Sequence, residues 1–344
     1  MKVAVVGASG YTGLELVRIV LRHPELELVA VTSEQRAGRP VGEVFPALRG
    51  LVDLSFEAVD TASLAGRVDV AFTALPHGTS AHVVSELYKA GVLVVDLSAD
   101  FRLRSREEFD RWYGEHEAPE LFGQAVYGLP EVYGAELPGA RLIAAPGCYP
   151  TGALLPSLPF LRSGRVERSG IFVDSKSGVS GAGRKLEDGL LFAELDANAR
   201  AYKVADHRHS PEIEQELSVA ADAPVQISFI PHLIPTVRGI LTSVLMRLNE
   251  PMEAAAAQDL LEDTYAQAPF VRVLPAGEAP SLQAVRGSNF CDVAVVVDAR
   301  NQTLIALGAL DNLVKGSGGQ AVQCLNLASG WPETTGLLES PWIP

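Results

Sequence analysis

Cys148 is the residue best placed for chemistry. It follows the apolar, strand-like run Leu142–Ala145 and lies within Pro-Gly-Cys-Tyr-Pro-Thr, residues 146–151, just before the apolar helical pattern Ala153–Leu161. A proline just inside a helix start is usual, because its missing N–H would have no partner there. Cys148 is therefore predicted at the carboxyl end of a strand and the N-terminus of a helix, where the helix dipole favours the thiolate. We interpret it as a nucleophile rather than as a buried structural cysteine.

The other two cysteines carry no such signal. Cys291 and Cys324 lie inside strand and helix patterns and are interpreted as structural. Three cysteines at wide spacing match neither a disulfide framework nor a metal site, so we expect no bound metal and a reducing cytoplasm.

A histidine pair supplies the candidates for acid–base chemistry. His207 and His209 flank Arg208 in a polar loop, directly before the helix-start signature of residues 210–212. In an extended segment the two rings point to one side, so one could be the base and the other a substrate contact. The alternative is a surface loop or an intersubunit patch. A thiolate beside a nicotinamide would attack an activated acyl group, and hydride would reduce the resulting thioester to an aldehyde.

A glycine-rich turn near the N-terminus predicts the cofactor. The apolar run Lys2–Gly7 enters a turn with glycines at intervals of three, and a helical pattern follows. Such glycines let the backbone approach a pyrophosphate, and the helix N-terminus supplies unpaired N–H groups. The alternative is a tight turn without a ligand. The predicted contacts are Gly7, Ser9, Gly10, Tyr11, Thr12 and Gly13.

The end of the second predicted strand, Leu26–Ser33, indicates which dinucleotide binds. An NAD enzyme would have an acidic residue there for the ribose hydroxyls, whereas this chain has Ser33, followed by Arg36. These residues could bind a 2′-phosphate, so NADP(H) is preferred to NAD. The alternative for Arg36 is a solvated surface charge.

Further ligand contacts are predicted where other elements end. Pro76 follows a strand and, with Gly178 from a second glycine-rich run at 175–184, joins the cofactor candidates. Arg102 and Arg238 are candidate anion contacts, and His207 is included with them as a substrate contact. The alternative for the run at 175–184 is a flexible surface loop.

The elements that must position these residues fall into two groups. Nearly continuous apolar runs alternating with helical patterns predict a Rossmann-type, doubly wound parallel sheet with its ligand site at the carboxyl strand ends. After about residue 170, longer strands of mixed polarity predict an α+β domain whose broad sheet is a candidate dimer surface. We assign 1–148 and 312–344 to the first domain and 149–311 to the second. The strands are predicted at Lys2–Gly7, Leu26–Ser33, Val68–Leu75, Val92–Ser98, Leu142–Ala145, Ile171–Ser175, Val225–Ile230, Gly239–Leu248, Phe270–Leu274, Asp292–Val297 and Leu304–Leu310.

Size and charge agree with a two-domain enzyme. The chain has 344 residues, longer than a single core usually grows. Its 28 basic and 42 acidic residues give a net charge of −14, so the protein field repels phosphate backbones and anionic lipids. Nucleic acid and membranes are therefore not expected as partners.

The chain resembles the N-acetyl-γ-glutamyl-phosphate reductase family, NADPH-dependent enzymes of arginine biosynthesis related to aspartate-semialdehyde dehydrogenase. The resemblance implies a second domain like the C-terminal domain of glyceraldehyde-3-phosphate dehydrogenase, an acyl phosphate substrate, and a homodimer or homotetramer. It also implies that Cys148 is the nucleophile, His209 the base, and Asn326 the residue that holds the nicotinamide amide. The motifs that carry it are residues 7–13, 75–78, 97–102, 146–151, 207–212 and 311–316.

Several other functions remain open. Related reductases of carrier-protein-linked acyl phosphates have Ala-Gly-Cys-Asn-Ala-Thr around the nucleophile, which differs from residues 146–151 here. This contrast favours the free acetylated substrate. Aspartate-semialdehyde dehydrogenase, a cysteine hydrolase and a non-catalytic NADP sensor are the remaining alternatives.

Overall fold

The chain folds as two units. This computed structural model describes residues 1–184 and 186–342. The first unit contains Met1–Pro146 and Ser317–Leu338, and the second contains Gly147–Gly316 with residues 339–342. The division expected from the sequence placed residues 147–148, 312–316 and 339–342 in the first domain, whereas they fold with the second unit. Within the described ranges, no helix combines the length and apolar character needed to cross a bilayer.

The first unit is built on a parallel sheet. Its described strands have the order β2-β1-β3-β4-β6-β5, and every pair runs parallel. Since β2 and β3 lie on opposite sides of β1, the chain reverses direction across the sheet there, and the carboxyl ends of β1 and β3 flank a crevice. This topology confirms the predicted Rossmann-type sheet. The strands are β1 Lys2–Val6, β2 Glu27–Val31, β3 Val70–Thr73, β4 Leu93–Asp96, β5 Val126–Tyr127 and β6 Leu142–Ala144.

The second unit contains a mixed sheet. Its described strands have the order β11-β12-β13-β10-β7-β9-β8, with parallel pairing at β11–β12 and β7–β9 and antiparallel pairing elsewhere. Alternate residues of the central strands are buried, as expected when one face packs on helices. The α+β prediction is therefore confirmed. The strands are β7 Ile171–Ser177, β8 Arg200–Ala201, β9 Ile227–Leu233, β10 Ile240–Arg247, β11 Val271–Val273, β12 Cys291–Asp298 and β13 Thr303–Leu310.

Helices connect and cover these sheets. In the second unit α7 packs on β10 and β13 and also on α9, while α10 packs on β12. In chain order the helices are α1 Tyr11–Val20, α2 Val41–Val44, α3 Thr61–Ala65, α4 Ser80–Lys89, α5 Arg106–Tyr113, α6 Pro130–Tyr133, α7 Cys148–Arg162, α8 Phe192–Leu195, α9 Ser210–Ala221, α10 Ala254–Tyr265, α11 Leu282–Val285 and α12 Gly319–Ala328.

All eleven predicted strands correspond to strands of the structure, with ends that differ by a few residues. β5 and β8 were not predicted from the sequence, because a strand of two residues is too short to show an alternating apolar pattern. Cys291 and Cys324 are fully buried free thiols, as interpreted.

Candidate functional site

Cys148 is the first residue of α7, as predicted. Gly147 precedes it as the N-cap in extended conformation, and the Gly147 N–H donates to Oε1 of buried Glu212 at 2.8 Å. The Thr151 hydroxyl donates to the Gly147 carbonyl oxygen at 3.0 Å. Cys148 is partly exposed, whereas Tyr149 is buried. The backbone of Gly147 is thus hydrogen-bonded at both its N–H and its carbonyl oxygen, while Cys148 itself remains partly exposed.

Gly316 leaves room for Cys148. It lies in a π-helical segment, Val314–Gly318. A Cβ added at Gly316 would be 2.8 Å from the Cβ of Cys148 and 3.1 Å from Cδ1 of Leu310. The sequence analysis did not assign Gly316 to the site, although Gly316 ends one of the motifs that carry the family resemblance.

The two histidines pack around Tyr149. Ring centroids are 5.4 Å apart for Tyr149 and His207, 5.9 Å for Tyr149 and His209, and 4.9 Å for the two histidines. His209 has αR dihedrals as the N-cap of α9, so residues 207–209 form a turn and not the extended segment expected from the sequence. The structure therefore brings both histidines to the residue that follows Cys148.

His207 is held in the neutral form. Burial lowers the pKa of His207 to about 4, and the positive charges of Lys203 and Arg208 act in the same direction. Its Nδ1 accepts a hydrogen bond from the backbone N–H of His209 at 3.1 Å, which assigns the ring proton to Nε2. Near pH 7 this ring is therefore a fixed neutral group that supports the His209 backbone.

Tyr149 and Tyr202 complete the cluster of rings around the two histidines. Neither tyrosine was predicted from the sequence to be a site residue. The hydroxyls of Tyr149 and Tyr202 lie 2.8 Å apart and hydrogen-bond to each other. Burial raises the pKa of Tyr149 well above its usual range and that of Tyr202 to about 12. Phe229 packs edge-on against His207, with the ring centroids 5.3 Å apart. Both hydroxyls stay protonated at neutral pH, and the cluster is largely apolar.

The glycine-rich run at 175–184 differs from the prediction. The backbone N–H groups of Gly178, Val179 and Ser180 donate to the carbonyl oxygens of residues 239, 236 and 237. A Cβ on Gly178 would lie 2.7 Å from the backbone nitrogen of Arg238. Gly178 therefore permits close packing of two backbone segments, and these donors are not available to cradle a cofactor.

Arg238 also has a different place from the one predicted. It is buried, pairs with Asp311 at 3.3 Å, and its guanidinium carbon lies 4.8 Å from the centroid of the Trp342 ring. Asp311 is fully buried and also accepts from the Gly287 N–H. Since an ion pair and an aromatic ring hold this guanidinium, we assign Arg238 to packing and not to substrate binding.

Arg102 and Asn326 are also structural. Arg102 is buried and donates to the carbonyl oxygens of Ala145 at 2.8 Å and Leu97 at 2.7 Å. Asn326 is fully buried; its amide donates to the carbonyl oxygens of residues 333 and 335, and its Oδ1 lies 2.9 Å from Nε2 of His23. These bonds use the whole Asn326 amide, which corrects the expectation that it holds the nicotinamide.

The glycine turn of the first unit has the geometry of a phosphate cradle. Gly7 has φ +84°, a conformation that strains any other L-residue. A Cβ on Gly13 would be 2.4 Å from Cα of Ala8, so Gly13 allows α1 to pack closely on the turn. Gly10 is the N-cap of α1, and a Cβ there would meet nothing within 4 Å. The turn is therefore open where a pyrophosphate would approach the helix N-terminus.

Hydroxyls and a cation follow the ends of β1 and β2. The Ser33 hydroxyl donates to Oγ of Ser9 at 2.8 Å. Within residues 1–184 and 186–342, the guanidinium of half-buried Arg36 has no hydrogen-bond or ion-pair partner. The adjacent acid, Glu34, accepts from the Val59 N–H at 2.8 Å. The residues present thus fit a dinucleotide with an anionic ribose substituent.

Two family models match the two units. One, described as the NAD binding domain of semialdehyde dehydrogenase, matches residues 2–140, and the other, its dimerisation domain, matches residues 148–312. The fold and these matches define a semialdehyde dehydrogenase with a nicotinamide-cofactor domain.

Curated relatives match over the full chain. Proteins named N-acetyl-gamma-glutamyl-phosphate reductase from Geobacter sp. (strain M21) and Geobacter sulfurreducens are each 50% identical and are aligned over 100% of both chains. The protein of that name from Symbiobacterium thermophilum is 47% identical over 99% of this chain and 98% of its own. The chain therefore belongs to the N-acetyl-gamma-glutamyl-phosphate reductase family.

Solved structures agree in fold. Aspartate semialdehyde dehydrogenase II complexed with ASA from Vibrio cholerae matches with a TM-score of 0.71 at 17% identity, covering 95% of this chain and 97% of that one. Aspartate semialdehyde dehydrogenase with NADP from Candida albicans gives a TM-score of 0.67 at 15% identity, with the same coverage. At these identities the likeness concerns the fold alone.

Proposed function

We propose that the chain catalyses the NADPH-dependent reduction of N-acetyl-L-γ-glutamyl phosphate to N-acetyl-L-glutamate 5-semialdehyde, with release of phosphate, in arginine biosynthesis. The observation that carries this proposal is a partly exposed cysteine at the N-terminus of α7, with the His209 ring beside the next residue. Relatives of the same name align over the full length of the chain.

Cys148 is the proposed nucleophile. The start of α7 favours the thiolate, which attacks the acyl carbon; the bond to the phosphate oxygen breaks and a Cys148 thioester forms. The positive end of the α7 dipole, at the helix N-terminus, can stabilise the charge that develops on the acyl oxygen. When bound, the reduced nicotinamide supplies the hydride for the thioester.

His209 is the proposed base for the thiol proton. Both histidines lie against Tyr149, but the pKa of His207 is lowered to about 4 and its Nδ1 accepts the His209 N–H. His207 is thus a positioning residue for the His209 backbone. The low pKa of His207 and its bonded Nδ1 therefore favour His209 over His207 as the base.

NADP(H) is the proposed cofactor. The glycine turn and the N-terminus of α1 would hold the pyrophosphate, while Ser33, Ser9 and Arg36 would bind the 2′-phosphate. No acidic side chain replaces Ser33 at the end of β2, and the adjacent Glu34 is engaged with the Val59 N–H. We retain Pro76 as a proposed contact, since it follows β3 at the same crevice.

A homodimer, or a homotetramer built from it, is the proposed assembly, and the cytoplasm the proposed location. In the second sheet, half-exposed apolar residues form a row across neighbouring strands: Leu245 of β10 lies opposite Phe172 of β7 and Ile305 of β13. Burying this face against a second copy would remove apolar surface from water.

The reverse reaction tests the function. N-acetylglutamate semialdehyde, NADP⁺ and phosphate are supplied to the purified chain, and NADPH formation is followed by absorbance. We expect phosphate-dependent turnover that is lost in Cys148→Ser with NADP⁺ affinity retained, because a serine hydroxyl stays protonated. Absence of turnover with this aldehyde would overturn the proposal. Turnover with aspartate semialdehyde or only with a carrier-linked aldehyde would support an alternative reductase.

A further inference from the structure

The loop that follows β3 packs on the glycine turn that follows β1. A Cβ added at Gly7 would lie 2.6 Å from the carbonyl oxygen of Ala74 and 3.1 Å from Cδ2 of Leu75. Both segments leave the carboxyl ends of adjacent strands, where an α/β sheet of this topology binds its ligand. The position of residues 75–79 therefore bears directly on the shape of the crevice.

The carboxylate of Asp100 holds this loop and the start of α4. Its Oδ1 accepts from the Gly78 N–H at 3.0 Å, and its Oδ2 accepts from the same N–H at 3.2 Å and from the Ala81 N–H at 3.0 Å. Asp100 is fully buried. A buried carboxylate is tolerated when N–H groups satisfy it, and a helix N-terminus offers such groups. Its two oxygens connect the loop and the helix.

A second buried acid, Asp96, stands next to Asp100. Asp96 ends β4 and accepts from the hydroxyls of Thr73 at 2.6 Å, Ser80 at 2.7 Å and Ser98 at 2.5 Å. Burial and then the charge of Asp96 raise the pKa of Asp100 to about 6, whereas the hydrogen bonds from the loop and the charge of Arg102 act in the opposite direction. The carboxylate therefore changes charge near physiological pH.

Two histidines complete the titratable groups around Asp100. Nδ1 of His77 accepts from the Ala99 N–H at 2.9 Å, and Nε2 of His116 lies 2.8 Å from the Asp100 carbonyl oxygen. Burial lowers the pKa of His116, so this ring stays neutral as Asp100 titrates.

We propose that Asp100 is a positioning residue for the cofactor: its carboxylate fixes the loop at 75–79 against the glycine turn and so shapes the crevice for the dinucleotide. This proposal rests on the cofactor site proposed above. Protonation removes the negative charge that strengthens the hydrogen bonds from Gly78 and Ala81, so the carboxyl group holds the loop less firmly. Because the ionised form is the competent one, affinity is present above about pH 6 and falls as the pH drops through that value.

The test is calorimetric titration of the full chain with NADP⁺ between pH 5 and pH 8. We expect Asp100→Asn to weaken binding about tenfold at pH 7.5, the effect of one lost hydrogen bond to a charged acceptor. The rate of Cys148 alkylation should stay unchanged. Asp60→Asn is the matched control, since exposed Asp60 caps α3 through the Ser63 N–H in the same unit.

The pH profile separates positioning from simple packing. The 2′-phosphate of NADP⁺ itself titrates near pH 6, so the informative quantity is the ratio of affinities between unmodified chain and Asp100→Asn. We expect this ratio to shrink toward one as the pH falls below about 6. Asp96→Asn removes the neighbouring charge, so the pH at which NADP⁺ affinity falls by half should be lower in this variant than in the unmodified chain. The 2′-phosphate titrates equally with both proteins, so this comparison tests the proposal even if Asp100→Asn does not fold.

The results that would overturn the role of Asp100 differ from those that would overturn the cofactor site. Equal affinity of the unmodified chain and Asp100→Asn at every pH, or an unmoved midpoint in Asp96→Asn, overturns the role of Asp100 while the cofactor site stands. A chain that binds no dinucleotide at all overturns both proposals.

Discussion

A methyl group added at Gly316 should displace Cys148 and lower turnover, while the glycine turn of the first unit stays unchanged. In Gly316→Ala the new Cβ would lie 2.8 Å from the Cβ and 3.2 Å from the Cα of Cys148. Carbon atoms pack at about 3.5–4.0 Å, so the two residues must separate by roughly 1 Å. The backbone itself is not strained, because Gly316 has no positive φ.

The size of the effect follows from this displacement. A misplacement of about 1 Å at a reacting group can cost about a hundredfold in rate. We therefore expect kcat of Gly316→Ala to fall by about ten- to a hundredfold, with the Kd for NADP⁺ unchanged. Overpacking should also lower the free energy of unfolding by about 1–3 kcal/mol.

The assay combines turnover with a measurement that needs no substrate. The rate of Cys148 alkylation by iodoacetamide reports the thiol directly, and circular dichroism reports the fold. Gly66→Ala is the control, because the nearest atom to its new Cβ is 3.8 Å away and its φ is −77°. A Gly316→Ala enzyme with native kcat and native alkylation rate would refute the claim that this glycine positions Cys148.

Three further outcomes follow from the site and the sheets. His209→Asn should lower kcat by about a hundredfold to ten-thousandfold, while His207→Asn lowers it less, and the reverse order in steady-state kinetics would exchange their roles. Ser33→Asp should erase or reverse the preference for NADP over NAD by repelling the 2′-phosphate, and equal kcat/KM for both cofactors in the unmodified enzyme contradicts that preference. Leu245→Asp should give monomers in sedimentation equilibrium, whereas the control Leu51→Asp, on a 67% exposed side chain, should not; an unchanged assembly would place the interface elsewhere.

The sheets and the position of Cys148 at the start of a helix could be predicted from sequence because their signals are local. Continuous apolar runs marked the buried parallel strands, and a proline-containing turn before an apolar helix marked Cys148. Each of these patterns lies within about one element.

Roles that depend on distant partners could not be read in this way. Arg238 and Asp311 are 73 positions apart, and Gly147 and Glu212 are 65 apart. Asn326 meets His23 across 303 positions. Residue type and position suggested anion binding for Arg238, and the family resemblance implied amide binding for Asn326. Tertiary hydrogen bonds decide whether such a side chain is already occupied.

The structure of the cluster of Tyr149, Tyr202, His207 and His209 also limits which of its rings can gain or lose a proton near pH 7. Burial keeps Tyr149 and Tyr202 protonated and His207 neutral near pH 7, and the Nδ1 of His207 is engaged by a backbone N–H. Three of the four polar rings therefore hold fixed protonation states through a turnover. These fixed protonation states support our proposal that the His209 ring accepts the proton that leaves Cys148.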